Sequence, residues 1–235
     1  MTVLHLIPVG LSPVPADVWL PAAAQKTAAG LRTYIAENAK TARAFLKAID
    51  AQTPLRDITI HTLKAGTPDA EIQSWLRAVP AGQDIGLVSE AGCPAVADPG
   101  AAVVAQAQRM GLRVVPWTGP SSIMLGLMAS GLQGQRFAFH GYAPVKPDER
   151  EARLRAWESA SHKQGQTQIL IETPYRNEAM FEAMLRALRD TTRLCVACSL
   201  TAEDEWIRTL TIAQWRKAPP PDLARKPALF LYLAA

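Results

Sequence analysis

Residues 84–117 read D-I-G-L-V-S-E-A-G-C-P-A-V-A-D-P-G-A-A-V-V-A-Q-A-Q-R-M-G-L-R-V-V-P-W. An apolar run at 84–89 is followed by a loop holding two glycines, two prolines and two carboxylates. An apolar-periodic segment at 101–111 then closes on Gly111, and a second apolar run begins at 113. Periodicity that switches from strand to helix and back argues for alternating α/β structure on a mainly parallel sheet. Gly111 is a natural C′ residue for that helix. Within the loop, Gly92 permits a positive φ or a close backbone approach, and Pro94 fixes the turn after it.

The same alternation continues outward. Strands are predicted at 3–9 and 57–63 upstream, and at 136–142, 167–172, 193–200, 206–210 and 228–234 downstream. Their short, continuous apolar character is that of strands buried on both faces. Helices are predicted at 119–131 and 175–189, the latter with apolar residues at 180, 181, 184, 185 and 188 and Thr173-Pro174 as N-cap and N1. The fold class is α/β, in two α/β domains. Residues 1–118 form an N-terminal domain on a mainly parallel sheet, and residues 119–235 a C-terminal domain on a mixed sheet.

Composition excludes several function classes. Of 235 residues, 49% are hydrophobic and 20% charged, ordinary globular usage, and no apolar run approaches the roughly 20 residues of a membrane span. The start lacks a basic n-region and a cleavage site, so the expectation is a cytoplasmic protein with no membrane partner. A net charge of +4 permits an RNA partner without requiring one. Three cysteines make a poor disulfide framework, and Cys195 and Cys198 read as small residues in a strand. His5, His61, His140 and His162 show no ligand spacing, so no metal site is expected. R-E-A-R-L-R (150–155) reads as a solvated helix face and A-E-D-E (202–205) as a solvated turn that could also hold a general base.

Ligands of open α/β sheets sit outside the carboxyl ends of the strands. Three loops therefore matter: I-P-V-G-L-S-P-V-P (7–15), S-E-A-G-C-P-A-V-A-D-P-G (89–100) and T-G-P-S-S (118–122). None matches a dinucleotide or P-loop pattern, and together they point to a cofactor cleft. Asp98 is expected to hold its loop or cap the following helix.

S-E-A-G-C-P-A-V-A-D-P-G followed by V-V-P-W-T-G-P-S-S resembles signatures of the ribosomal small-subunit RNA methyltransferase I family. That family is a branch of the tetrapyrrole (corrin/porphyrin) methylase superfamily. R-F-A-F-H-G-Y-A-P-V-K (136–146) and I-E-T-P-Y-R (171–176) resemble further segments, and A-E-N-A-K-T-A-R-A-F-L (36–46) is similar to a third. The resemblance implies a two-domain, usually dimeric enzyme that binds S-adenosylmethionine in a cleft between its domains. It further implies methylation of a ribose 2′-hydroxyl in small-subunit rRNA.

Carried over by position, the resemblance implies cofactor contacts at Gly10, at Ala91, Gly92, Cys93, Pro94 and Val96, and at Ser121, Ser122 and Ile123. Ile171, Glu172, Ala197, Pro227 and Ala228 would serve the adenine side. No general base is identified; Glu37, Glu172 and Glu205 are the candidates, with Arg176 and Lys146 as phosphate ligands. The first loop lacks the family's asparagine and acidic positions, Asn38 and Lys40 replace aspartate and arginine, and K-P-A (226–228) replaces K-G-E. Two alternatives therefore stay open: methylation of a tetrapyrrole or other small metabolite, and a catalytically silent homologue that binds cofactor or RNA.

Overall fold

The computed structural model describes residues 2–235. In chain order it contains β1 (Val3–Ile7), α1 (Ala22–Gly30), β2 (Thr33–Ala36), α2 (Ala39–Ala48), β3 (Thr59–Thr62), α3 (Asp69–Ala78), β4 (Ile85–Val88), α4 (Gly100–Arg109) and β5 (Arg113–Pro116). There follow α5 (Ser122–Ser130), β6 (Phe137–Tyr142), α6 (Pro147–Gln164), β7 (Thr167–Glu172), α7 (Asn177–Ala187), β8 (Arg193–Cys198), β9 (Trp206–Thr211), α8 (Ile212–Trp215) and β10 (Ala228–Leu233). Backbone contacts divide the chain into two compact units, the first ending at Ser121 and the second running Ser122–Ala235.

The first unit is a five-stranded sheet in the order β3-β2-β4-β1-β5, with every pair parallel. Strand alternation sends neighbouring side chains to opposite faces. Tyr34 and Ala36 join Ile7, Val88 and the apolar faces of α1 and α2, while Ile35, Ile85 and Leu87 join α3 and α4. Helices that leave the sheet leftward and rightward thus cover opposite faces, as right-handed crossovers require. Beta4, which supplies the glycine- and proline-rich loop, sits at the centre of the sheet with Ile85, Gly86, Leu87 and Val88 all buried.

The second unit is a mixed sheet in the order β6-β7-β10-β8-β9; β6 and β7 are parallel and the other pairs antiparallel. Its main core lies on the face of Leu170, Val196, Phe230 and Tyr232, covered by α6, α7 and α8. The other face receives α5, whose Gly126 lies so close to Leu229 that an added Cβ would stand 2.3 Å from Leu229 Cδ2. Helix α6 begins with Pro147 at N1 and Asp148 and Glu149 in its first turn, and ends on Gly165 at φ 59°. Fixed φ at the start, anions beside the N-terminal amides and a left-handed cap at the end all favour the boundaries found.

The two expected sheet types are both present, and several local expectations are corrected. Strand β2 was not anticipated, because T-Y-I-A is only four residues long and follows directly on the alanine-rich α1. Beta1 stops at Ile7, since Pro8 has no N–H to donate and Val9 instead bridges to Gly92. Beta8 stops at Cys198, where Ser199 takes φ 52°. Thr173-Pro174 does not open α7: Arg176 N–H closes a turn on Thr173 O, and Arg176 is the N-cap. Beta3, β5, β6 and β9 are not buried on both faces, because each lies at the edge of its sheet. Arg150 is buried beside Leu154 rather than on a solvated face.

Cys195 and Cys198 lie in β8, 0% and 2% exposed. Among the described residues no helix is long and apolar enough to cross a membrane, and no group of three or more His, Cys, Asp or Glu is placed to hold a metal ion.

Candidate functional site

In the first unit the three sequence-singled loops meet at the carboxyl ends of β1, β4 and β5. Val9 N–H donates to Gly92 O at 2.9 Å and Gly92 N–H to Val9 O at 2.8 Å, so the first loop is clasped to the second. Cys93 Sγ donates to Pro120 O at 3.4 Å, tying the second loop to the third. Gly119 packs directly on Pro8; a Cβ there would stand 2.3 Å from Pro8 Cβ. Gly92 takes φ +76°, a conformation that costs any L residue about 1–2 kcal/mol. Pro8, Ser89, Gly119 and Pro120 were not singled out individually, although each lies in one of the three loops the sequence pointed to.

The rest of the second loop carries local strain. Ala95 and Ala97 take φ 67° and 64°, unusual for residues with a Cβ. Asp98 holds that geometry: its Oδ1 accepts from Ala95 N–H and Gly100 N–H, both at 2.8 Å. The carboxylate thus knots the loop and reaches the first residue of α4, as the sequence suggested. Ala91 and Val96 are exposed while Gly92 and Pro94 are buried, so the loop presents alternate residues to solvent. Gly10 is half-buried, with the Trp19 ring against it.

Removing the Asp98 carboxylate is expected to release both amides. Asp98→Ala should cost about 1–3 kcal/mol of local stability, visible as faster hydrogen exchange at Ala95 and Gly100. Asp98→Asn, which keeps an acceptor oxygen, should retain most of the protection.

Beta2 delivers a second acidic segment to the same edge. Glu37 and Asn38 follow β2, whose neighbour in the sheet is β4. Asn38 caps α2 by accepting from Lys40 N–H at 2.9 Å and donates its Nδ2 to Glu90 Oε1 at 3.3 Å. Desolvation, then the charges of Asp98 and Glu90, push the Glu37 carboxyl above its ordinary value. Burial also raises Asp98, against the two amides that favour its charged form. Glu37, Glu90 and Asp98 thus form a negative edge suited to a cationic ligand, and the charges of the other two raise the proton affinity of Glu37.

The raised Glu37 has a consequence for stability. In the window between its ordinary value and its higher folded value the native state holds more proton than the unfolded chain. Stability therefore falls as pH rises through that window and levels off above it. Glu37→Gln should remove this decline, so its melting temperature relative to the parent should be higher at about pH 7 than at about pH 4.

In the second unit, Ser122 opens α5 and Ile123 faces its sheet, 8% exposed. Strand alternation puts Ile171 and Ala197 on the face of α5 with Leu229, which pairs with both. Glu172 and Ala228 face the other way, towards α6 and α7. Glu172 Oε1 accepts from Thr173 N–H at 2.7 Å and from Arg176 Nε and a terminal guanidinium nitrogen at 3.0 and 2.5 Å. Its Oε1 is therefore committed to two nitrogens of one guanidinium, an anchor at a strand end, while the buried Oε2 has no hydrogen-bond partner among the described residues. Arg176 is bound to that anchor, and Lys146 pairs with Glu149 at 3.0 Å. Glu205 lies in the β8–β9 turn and accepts from Thr201 N–H at 2.7 Å. Pro227 is exposed and its carbonyl accepts from Ser199 N–H.

A family model described as Tetrapyrrole (Corrin/Porphyrin) Methylases matches residues 19–215. The chain is 36% identical over 157 residues to "Ribosomal RNA small subunit methyltransferase I" of Mesorhizobium japonicum, covering 67% of this chain and 51% of that one. It is 29% identical over 209 residues to the protein of the same name from Bacillus subtilis, covering 88% and 67%. It spans about half the length of several curated relatives it matches. Among solved structures, the methyltransferase CobJ superposes with a TM-score of 0.63 at 16% identity, covering 100% of this chain and 93% of that one. Cobalt precorrin-4 methyltransferase CbiF gives 0.62 at 18%, covering 98% and 94%. At those identities the two structures speak for the fold alone.

Proposed function

The chain belongs to the tetrapyrrole (corrin/porphyrin) methylases, and on that premise we propose that it transfers a methyl group from S-adenosylmethionine to a ribose 2′-hydroxyl of small-subunit rRNA. The observation that carries the reading is the clasp of three loops around Gly92, within the stretch of residues 19–215 matched by the family model. The residues fit the cofactor. Gly92 at φ +76° meets only Leu11 Cδ2 and Pro120 O, at 3.5 and 3.7 Å, where a Cβ would stand. The edge formed by Glu37, Glu90 and Asp98 complements a cofactor that carries a sulfonium and an ammonium.

Ala91, Gly92, Cys93, Pro94 and Val96 would hold the cofactor in the first unit, with Gly10 behind them and Ser121 at the end of the third loop. In the second unit, Ser122, Ile123, Ile171, Ala197, Pro227 and Ala228 are the positions that the family resemblance would assign to further contacts. When bound, the sulfonium provides an activated methyl group. The protein's part is orientation, exclusion of water and management of the hydroxyl proton. Orientation alone supplies on the order of 7–11 kcal/mol in well-aligned intramolecular reactions. Of the three carboxylates considered as bases, Glu37 is the one whose charge is opposed by its surroundings and whose side chain is not tied to a cation or a loop amide. It is our choice for the proton acceptor.

A cytoplasmic homodimer completes the reading. The outer side of α5 exposes Met124 and Met128, 46% and 76% accessible, an apolar stripe suited to a second copy.

The test is transfer of labelled methyl from S-adenosylmethionine into small ribosomal subunits from cells lacking the gene. Label in an alkali-resistant dinucleotide is expected, since a methylated 2′-hydroxyl blocks strand cleavage. Label on a base, or none with cofactor bound, overturns the proposal. Label only in an added tetrapyrrole supports the small-metabolite alternative.

A further inference from the structure

A cavity of about 390 Å³ opens in the second unit between the β8–β9 turn and the chain leading into β10. Its size falls within the usual range of small-ligand sites, roughly 300–1,000 Å³. One wall is the Trp206 ring, 37% exposed at the start of the edge strand β9. The lining also includes Pro219-Pro220-Pro221, three consecutive residues with no N–H to donate. A partly exposed aromatic ring in a cavity whose lining includes a rigid, donor-free proline run favours a flat ligand and offers its edge acceptors.

The charges around it sharpen that selection. Lys226 Nζ is held by Asp204 Oδ2 at 3.2 Å and Asp222 Oδ2 at 3.0 Å. Arg208 lies over the Trp215 ring, 5.9 Å from its centroid. Glu205 makes no ion pair among the described residues, yet Thr201 N–H fixes its Oε2. With three carboxylates against two engaged cations, phosphate is disfavoured. A neutral ring with adjacent N–H donors is favoured, because one carboxylate can accept from both. Guanine presents such an edge through N1–H and its 2-amino group.

Cys198 forms part of the cavity lining, whereas Ala197 turns to the α5 face. The cavity therefore lies on the face of this sheet opposite Ile171 and Ala197, the face that Ala228 shares with Cys198. We propose that this pocket takes an unpaired guanine of the RNA substrate, a flanking base and not the methylated nucleotide, stacked on Trp206 and read by Glu205. The inference rests on the RNA reading above. Unpaired bases stacked on aromatic side chains and read along the Watson–Crick edge are the usual means of single-stranded RNA recognition.

The test uses the whole chain and two fluorescent single-stranded RNAs, a uridine decamer and the same decamer with one central guanosine, read by anisotropy. The guanosine decamer should bind more tightly. Trp206→Ala should weaken it by ~5- to 150-fold, the range seen for loss of one base–aromatic stack, and bring it to the level of the uridine decamer. Trp206→Phe should keep most of the preference, and Glu205→Gln should lower it. Calorimetric binding of S-adenosylhomocysteine should be unchanged in Trp206→Ala, which excludes misfolding. Equal binding of both decamers by the parent, or equal loss for both in Trp206→Ala, overturns the pocket while leaving the RNA reading intact. Binding of neither decamer removes both proposals.

Discussion

Trp215→Ala is expected to be the most destabilising single truncation in the second unit, costing about 3–5 kcal/mol. Trp215 is 1% exposed, and its indole N–H donates to Leu194 O at 2.8 Å. Phe181 meets it edge-on with ring centroids 5.3 Å apart, and Arg208 covers its face. Alanine would leave a cavity under the sheet, an unpaired carbonyl and a cation without its ring. Urea unfolding should show the lower midpoint, and the melting temperature should fall on the order of 10 °C. Trp215→Phe, which retains the ring packing and loses the hydrogen bond, should recover most of the loss. Equal losses in the two variants would mean that the hydrogen bond, not the packing, carries the site.

The second large effect is expected at Gly86, from adding atoms. A Cβ there would stand 2.5 and 2.7 Å from the Tyr34 ring and 3.1 Å from Leu31 Cδ1. Tyr34 cannot retreat: it is 0% exposed and its hydroxyl donates to Ala28 O. Gly86 belongs to β4, the central strand, so backbone movement would disturb the pairings to β2 and β1. Gly86→Ala should cost about 1–3 kcal/mol by overpacking. The same substitution in a Tyr34→Ala background should cost much less, and that coupling is the measurement. Because β4 leads into the Gly92 loop, weaker S-adenosylhomocysteine binding should accompany the strain.

Much of the architecture was legible. Among the described residues, nine of the ten strands fell where continuous apolar runs placed them, because burial on a sheet leaves a contiguous signal. The missing strand, Thr33–Ala36, carries four residues and no flanking turn chemistry beyond Gly30. Asp98 was read correctly as a loop holder because its partners are two and three residues away. Glu172 was read as a candidate base and cofactor ligand. Its commitment to Arg176 and its orientation towards α6 and α7 depend on the register of β7 against β10.

By itself the sequence determined what local chemistry determines. It specified alternating elements, a parallel sheet followed by a mixed one, and a loop whose glycine and prolines demand special backbone geometry. Tertiary structure alone decided the order β3-β2-β4-β1-β5, which brings residues 37, 90 and 98 to one edge. It alone clasped Val9 to Gly92 across more than eighty residues, and walled a pocket with Trp206 and the triple proline. The physical reason is that propensity and periodicity act over a few residues. Strand order, register and the meeting of loops are fixed by burial and hydrogen bonds between segments that the chain keeps far apart.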